Sequence, residues 1–209
     1  MPRISPLRKE AHEQARREQI LAAAVRVWVR DGFDRAPVEA IAREAGLGKG
    51  TIYLYFETKE AVLQAVIDRF SLLPALEDWT AQQRDVPPER AIPELLRGLW
   101  DRLVERAPMI AAILSQGGAR HENMRIFLER VVLPGNALMA GYLDSWVERG
   151  WLRPLDTFVA ARALIGMLVV FLLSQNVLGG AQLHPIGDDA ILDTISELFL
   201  RGALPPRDG

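Results

Sequence analysis

The stretch GKGTIYLYF, residues 48–56, places a lysine between two glycines and follows it with a threonine and two tyrosines. Glycine lets a backbone approach a phosphate group closely, and lysine supplies a positive charge. A nucleotide-binding P-loop needs the spacing G-x-x-x-x-G-K-[ST], but Lys49 is followed by Gly50, and the segment before them has a helical pattern. A nucleotide site is therefore not expected. Any phosphate that this stretch contacts is not that of a nucleotide bound in a P-loop.

The residue types that catalyse reactions or bind metal ions form no set elsewhere in the chain. The absence of cysteine excludes disulfides, thiolate nucleophiles and cysteine metal sites. Three histidines are scattered, neighbouring carboxylates fit solvated helix faces, and no nucleophile elbow surrounds Ser115 or Ser174. The sequence therefore predicts neither an enzyme nor a metal site, and it indicates no cofactor.

Charge is distributed unevenly along the 209 residues, whose formal net charge is −2. Residues 1–56 hold ten Lys and Arg against seven Asp and Glu, so this part has an excess of three positive charges and the remainder an excess of five negative charges. A basic end on an acidic body favours a polyanion-binding N-terminal region. An imbalance of this size also arises by chance, so the motif must carry the argument.

Apolar residues make up 49% of the chain, enough for a sizeable buried core. No uninterrupted apolar run follows the basic N-terminal residues, so a secretory signal is not expected. The most apolar stretch, residues 163–173, is shorter than the roughly 18 residues needed to cross a bilayer, and we interpret it as a buried helix. These features predict a cytoplasmic protein with no membrane partner.

Apolar residues recur at spacings of three and four almost throughout, which predicts an all-α fold. Gly32 and Gly46 are suited to end the first two helices, Thr58 to cap the fourth, and the pair Pro134–Gly135 to kink a later one. The helices are expected at residues 13–31, 37–45, 49–56, 59–73, 89–106, 109–116, 122–149, 157–178 and 188–201.

The segments VEAIAREAG and KGTIYLYF, joined by a tight glycine-containing turn, predict a helix-turn-helix unit. The second helix of such a unit enters the major groove of DNA. The apolar residues spaced to pack the helices together are Ile41, Ala42, Ala45, Leu47, Ile52 and Phe56. The residues left to face outward are Lys49, Gly50, Thr51, Tyr53 and Tyr55.

The outward residues suit contacts to both bases and backbone. Lys49 can donate to guanine O6 and N7 or to a phosphate, Gly50 permits close approach, and Thr51 can contact a base or a phosphate. The tyrosine hydroxyls can donate to phosphate oxygens, and Arg43 and Lys59 can add backbone contacts. A helix hairpin without a ligand is the structural alternative, but it explains only the apolar positions.

The fixed order of DGF, IAREAG, GKGTIYLYF and TKEAVL across residues 17–69 resembles the DNA-binding domain of TetR-family transcriptional regulators. A weaker resemblance to the C-terminal domain of that family lies in ERGWLRPLDTFVAARALIGML, residues 148–168. The resemblance implies an all-α homodimer: a three-helix DNA-binding domain, followed by a larger helical domain that binds a small molecule and dimerises through its last two long helices. We place the domains at residues 1–70 and 71–209.

The same resemblance assigns individual DNA contacts. It gives base-facing positions to Lys49, Gly50 and Thr51, and sometimes to Glu39. The predicted DNA surface comprises Glu39, Arg43, Gly48, Lys49, Gly50, Thr51, Tyr53, Tyr55 and Lys59. Three departures from the family pattern are Gly48 in place of a serine, Leu54 in place of a second aromatic residue, and Ala36–Pro37 in place of a Thr/Ser pair.

The C-terminal part carries an effector-pocket prediction and a dimer prediction. The kink expected at residues 134–136 can open space beside apolar side chains, although the same side chains can equally form an ordinary core. The predicted pocket residues are Trp100, Met124, Phe127, Val131, Asn136, Met139, Trp146, Met167 and Phe171. The predicted dimer contacts are Leu164, Leu168, Leu172, Ile195 and Phe199.

Together these features predict a ligand-responsive, sequence-specific regulator of transcription. It is expected to be a homodimeric repressor that binds an inverted-repeat operator in double-stranded DNA and is released by a small apolar effector. One alternative is a DNA-binding protein of the same fold without an effector, acting structurally or through a protein partner. Another is a helical lipid carrier or enzyme domain with an accidental likeness to the DNA-binding unit.

Overall fold

Helices form nearly all of the chain that the computed structural model describes, residues 6–69, 71–114 and 125–206, and no strand occurs within these ranges. The all-α prediction is therefore confirmed. The helices are α1 (Pro6–Asp31), α2 (Val38–Glu44), α3 (Lys49–Tyr55), α4 (Lys59–Arg69), α5 (Leu73–Gln82), α6 (Pro88–Leu114), α7 (Leu133–Glu148), α8 (Thr157–Leu172), α9 (Gly180–Leu183) and α10 (Asp188–Ala203).

The chain divides into two compact units. Of the described residues, the first comprises 6–69, 108–114, 125 and 126, and the second comprises 71–107 and 127–206. The predicted domain boundary between residues 70 and 71 stays a prediction. Helix α6 runs without a break through residue 108, so the chain changes unit inside a helix instead of at a linker.

The first unit is built around α1, whose inner face contributes Ile20, Ala24, Val27 and Trp28 to the core. The ring of Trp28 meets Phe33 edge-on, with centroids 5.0 Å apart. This contact is possible because Gly32 turns the chain back directly after the helix, with a φ of 83° that suits a glycine.

The prolines interrupt the helices less often than the sequence predicts. Pro108 was expected to end a helix, yet α6 continues through both Pro93 and Pro108. Each internal proline leaves one carbonyl without its helical N–H partner, and burial of the apolar face outweighs that loss. That face consists of Ala91, Ile92, Leu95, Leu96, Leu99, Trp100 and Ala107. Pro74, expected just after a helix, instead lies in the first turn of α5, which was not predicted.

A π-helical turn lies just before Pro134, where the sequence predicts a kink. Residues Leu128–Val132 form this turn, and α7 follows it directly with proline in its first turn. A second π-helical turn, Leu173–Val177, continues α8. Such turns insert an extra residue into the helical ladder and are frequent at functional sites.

The second unit has an aromatic and polar core around α7. Tyr142 lies edge-on to Trp79 and 4.5 Å from the ring centroid of Trp146. Its hydroxyl donates to the carbonyl oxygen of Gln83 at 2.7 Å, and burial raises the pKa of Tyr142 to about 12. These contacts join α7 to the end of α5.

One helical segment, Thr157–Val177, is long and apolar enough to cross a membrane by length and composition alone. It is longer than the eleven-residue stretch noted in the sequence, and most of its residues are not buried within the chain. The expectation of a buried helix is therefore wrong for one chain taken alone. Its buried residues are Ala161, Leu164, Leu168 and Leu172, whereas Val159 and Val170 are exposed.

Candidate nucleic-acid interface and effector region

The turn between α2 and α3 has the tight geometry expected of a helix-turn-helix. Gly46 has a φ of 66°, a conformation that suits glycine, and the N–H of Leu47 donates to the carbonyl of Ala42 at 2.8 Å. Gly48 precedes α3 in an extended conformation, and its carbonyl accepts from the N–H of Thr51 at 2.9 Å. The chain therefore passes from α2 to α3 through only four residues, 45–48.

Apolar burial fixes which side of α3 faces outward. Ile52 and Phe56 are almost fully buried, together with Ile41 and Ala42 of α2 and with Ala45 just after α2. Leu47, predicted to pack with them, is only half-buried. Because α3 has only seven residues, this small apolar contact area determines its whole orientation.

Two polar side chains of α1 hold the helix-turn-helix in place. The amide of Gln19 donates to the carbonyl oxygen of Ala45 at 2.6 Å, at the end of α2. The guanidinium of Arg17 donates to the carbonyl oxygen of Tyr55 at 3.3 Å and lies 4.6 Å from the ring centroid of Phe56. Sequence reasoning missed both residues because no spacing rule relates α1 to carbonyl groups that lie 26 and 38 residues away.

Five of the nine residues predicted to face DNA lie on α3, and Gly48 precedes it directly. Lys49 and Gly50 are exposed, Tyr53 is 43% exposed, and Thr51 and Tyr55 are half-buried. Gly48 and Arg43 are exposed beside them. Leu54, which was not among the predicted contacts, is 83% exposed.

Glu39 and Lys49 form an ion pair that joins the start of α2 to the start of α3. The hydrogen bond from Lys49 lowers the pKa of the Glu39 carboxyl, and the same bond raises the pKa of the Lys49 ammonium. The ammonium also lies 5.8 Å from the ring centroid of Tyr53. Both residues were predicted to face DNA, and the ion pair places the acidic and basic groups side by side.

Lys59 is held against the loop after α1. Its ammonium donates to the carbonyl oxygen of Asp34 at 3.3 Å and lies 4.4 Å from the ring centroid of Phe33. The hydroxyl of Thr58 accepts from the N–H of Ala61 at 3.0 Å, which confirms the predicted cap of α4. A DNA contact by Lys59 therefore has to coexist with, or replace, an internal bond.

The predicted effector residues fall into two groups. Trp100, Met139 and Trp146 are essentially inaccessible, whereas Val131, Met167 and Phe171 are half-buried and Phe127 is exposed. Met124 lies outside the described residues. The structure thus leaves the first three in the core, while the others retain accessible surface.

Asn136, predicted to orient a ligand, is instead engaged within the chain. Its amide nitrogen donates to the carbonyl oxygen of Phe158 at 3.1 Å, and its carbonyl oxygen accepts from Nε of Arg162 at 3.2 Å. The side chain therefore links α7 to α8. We correct its assignment from a free polar group to a buried bridge, since these bonds already use both ends of its amide.

Two surface grooves lie in the second unit, and they differ from the predicted pocket. One of about 500 Å³ runs between α8 and α10 and includes Val159, Met167 and Leu198. Another of about 460 Å³ lies between α6 and α10, beside Arg97 and Ser196. Only Met167 belongs to the predicted pocket residues.

The residues predicted to form the dimer interface are buried inside the chain. These residues are Leu164, Leu168, Leu172, Ile195 and Phe199. The exposed apolar side chains on the same helices are different ones, Phe158, Val159 and Val170 on α8 and Leu198 on α10. The helical period identifies the apolar residues, but on a helix as apolar as α8 it does not say which side faces the core of its own chain.

Among the described residues, no group of three or more His, Asp or Glu side chains is arranged to hold a metal ion. His121 lies outside the described residues, and His12 and His184 are both exposed.

Two family models match this chain. The model for bacterial regulatory proteins of the tetR family matches residues 20–66. The model for the C-terminal domain of AefR-like transcriptional repressors matches residues 104–202. The first match includes the whole helix-turn-helix, and the second includes α7 to α9 and nearly all of α10.

Similar proteins agree with these matches. The HTH-type transcriptional regulator YfiR of Bacillus subtilis is 30% identical over 131 residues, which cover 61% of this chain and 63% of that protein. The next two curated relatives are matched over about a quarter of their length, so the chain spans less than two thirds of each of these relatives.

Solved structures share the fold. A TetR-family regulator from Mesorhizobium loti has a TM-score of 0.74 at 21% identity, covering 92% of this chain and 98% of that one. FadR from Bacillus subtilis, solved in complex with stearoyl-CoA, has a TM-score of 0.73 at 20% identity, covering 88% and 98%. At this identity the likeness establishes the fold.

Replacing Glu39 with glutamine tests the ion pair at this surface. The variant Glu39→Gln removes the acceptor charge that raises the pKa of Lys49, so that pKa should fall toward its ordinary value. The depressed pKa of Glu39 means that the pair stabilises the fold above the ordinary pKa of glutamate and loses this effect as the pH falls through the depressed value. Side-chain NMR can follow the titration, since the chain has only three lysines.

Glu89→Gln, an exposed carboxylate on α6, serves as the matched control and should leave the Lys49 titration unchanged. An equal Lys49 pKa in wild type and Glu39→Gln would show that the two side chains do not pair in solution.

Proposed function

Because the chain belongs to the TetR family of bacterial regulatory proteins, we propose that it is a sequence-specific DNA-binding repressor of transcription that a small apolar effector releases from its operator. The observation that carries the proposal is the outward face of α3. On that face Lys49, Gly50, Thr51 and Tyr53 stand together on a helix whose opposite side is buried. A cytoplasmic location follows from the DNA partner.

In this proposal α3 lies in the major groove, and some residues of the surface contact bases while others contact the DNA backbone. Lys49 donates to guanine, and Glu39, paired with it, accepts from the amino group of a nearby cytosine. Gly50 allows the backbone to approach the base edges, and Thr51 contacts a base or phosphate. Tyr53, Tyr55, Arg43 and Lys59 contact the backbone and fix the register of the helix.

Sequence selection from random DNA, followed by binding measurements on the Lys49→Ala variant, tests the DNA-binding function. Wild type should select one inverted repeat. Lys49→Ala should bind it about tenfold to a hundredfold more weakly and should lose preference at one base position in each half-site.

Arg90→Ala removes one positive charge from an exposed position on α6 and should leave the preference intact. A uniform loss across all sequences in Lys49→Ala would make Lys49 a phosphate contact. Failure of wild type to select any sequence would contradict the proposed function.

The repressor acts as a homodimer in this proposal. The exposed apolar residues Val159 and Val170 of α8 and Leu198 of α10 would be buried against the same helices of a second copy, which accounts for an apolar helix that one chain leaves largely uncovered. Two-fold symmetry then matches the inverted repeat, with the recognition helices about one DNA turn apart.

A charge placed on this surface should break the dimer. Val170→Glu and Leu198→Glu each put an unpaired carboxylate into an apolar interface, so light scattering at micromolar concentration should give a monomer mass for the variants and a dimer mass for wild type. Val29→Glu, at an exposed position on α1, is the control and should remain dimeric. A monomeric wild type would contradict the assignment.

The effector is an apolar molecule in this proposal. FadR of similar fold was solved with stearoyl-CoA, and the half-buried Met167 and Phe171 offer apolar surface here. The effector must prefer the conformer that does not bind DNA.

Adding stearoyl-CoA to the complex with a labelled operator tests this effector class. Fluorescence anisotropy should fall as the protein leaves the DNA, whereas coenzyme A without an acyl chain should have no effect. If the protein stays on the DNA at a saturating concentration of stearoyl-CoA, the second candidate is favoured. This candidate is a repressor of the same fold without a small-molecule effector. The full burial of Met139 and Trp146 favours that candidate, because a filled core needs no ligand.

A further inference from the structure

Leu54 is an apolar side chain at the centre of the surface proposed to meet DNA. It is 83% exposed, more than any other large apolar residue described between residues 10 and 69. Its immediate neighbours on the outer side of α3 are polar or lack a side chain. The DNA contacts assigned above make no use of it, since leucine can neither donate to a phosphate nor accept from a base.

Helical geometry places Leu54 on the line of α3 that points furthest outward. Successive residues turn by about 100°, so Leu54 lies about 160° from the buried Ile52. By the same arithmetic Gly50 is about 40° from Leu54, and Thr51 about 60° from it. The central line of the recognition surface is therefore formed by Gly50 and Leu54.

Gly50 leaves an open notch beside the leucine. Residues four apart in a helix lie on one face, so Leu54 and Gly50 are neighbours along the same outward line of α3. A Cβ added to Gly50 would meet no neighbouring atom within 4 Å. An apolar ridge thus stands next to bare backbone, and a methyl group could enter between them.

Only one group in the DNA major groove has the chemistry to match such a ridge. Thymine carries a C5-methyl group there, whereas the other base edges present donors and acceptors that leucine cannot satisfy. We propose that Leu54, together with the notch at Gly50, contacts the methyl group of a thymine in the operator half-site and so determines specificity at that position. This inference rests on the proposed DNA-binding function.

The test removes the methyl group from the DNA and the side chain from the protein. Each thymine of the selected half-site is replaced in turn by uracil, which pairs identically but lacks the methyl group. Wild type should lose about fourfold in affinity at one thymine, the effect expected for one buried carbon. Leu54→Ala should bind the thymine and uracil operators equally. It should also fold normally, because the side chain is exposed.

Val29→Ala, a truncation at an exposed position on α1, is the matched control and should keep the wild-type response to uracil. Leu54→Met, which retains an apolar side chain of similar length, should keep at least part of it. Tight, sequence-specific binding by wild type that is indifferent to every methyl group would overturn the inference alone, as would an unchanged uracil response in Leu54→Ala. Failure to select any DNA sequence would overturn the DNA-binding function as well.

Discussion

The burial of Ile52 and Phe56 is the constraint on which the surface proposed to face DNA depends. A helix of seven residues has little stability of its own, so α3 exists in this orientation because its apolar side packs into the core of the first unit. Once that side is fixed, the helical period sends Leu54 and its polar neighbours outward. Arg17 and Gln19 reinforce the arrangement from α1 by binding carbonyl groups at the ends of both short helices.

Electrostatics add a second constraint at the same surface. Lys49 does not stand as an isolated cation, because Glu39 accepts from it and raises its pKa. Elsewhere in the first unit, Glu44 accepts from both Arg26 and Arg30, so these two arginines are also partly neutralised. In the proposed DNA complex, these internal ion pairs reduce the gain from non-specific attraction to phosphate, so selectivity depends more on contacts to base edges.

The second unit uses its apolar residues for two different purposes. One set fills the core of the chain, and Tyr142 and Asn136 satisfy their polar atoms there through α5 and α8. Another set, on the other sides of α8 and α10, stays exposed in a single chain. Exposed apolar side chains that lie together are typical of an interaction site, and the proposed dimer would cover them.

The sequence alone determined the helical class, the helix-turn-helix, its glycine turn and the outward set around Lys49, because these follow from local periodicity and from the conformational freedom of glycine. It did not determine whether α6 continues through Pro108. The loss of one backbone hydrogen bond there is offset by burial of the apolar face of α6 against residues distant in sequence. The tertiary structure alone decided that Asn136 bridges two helices, that Glu39 pairs with Lys49, and which side of α8 remains exposed. On a helix that is apolar all round, periodicity carries no directional information, and only the packing of the other helices selects the inner face.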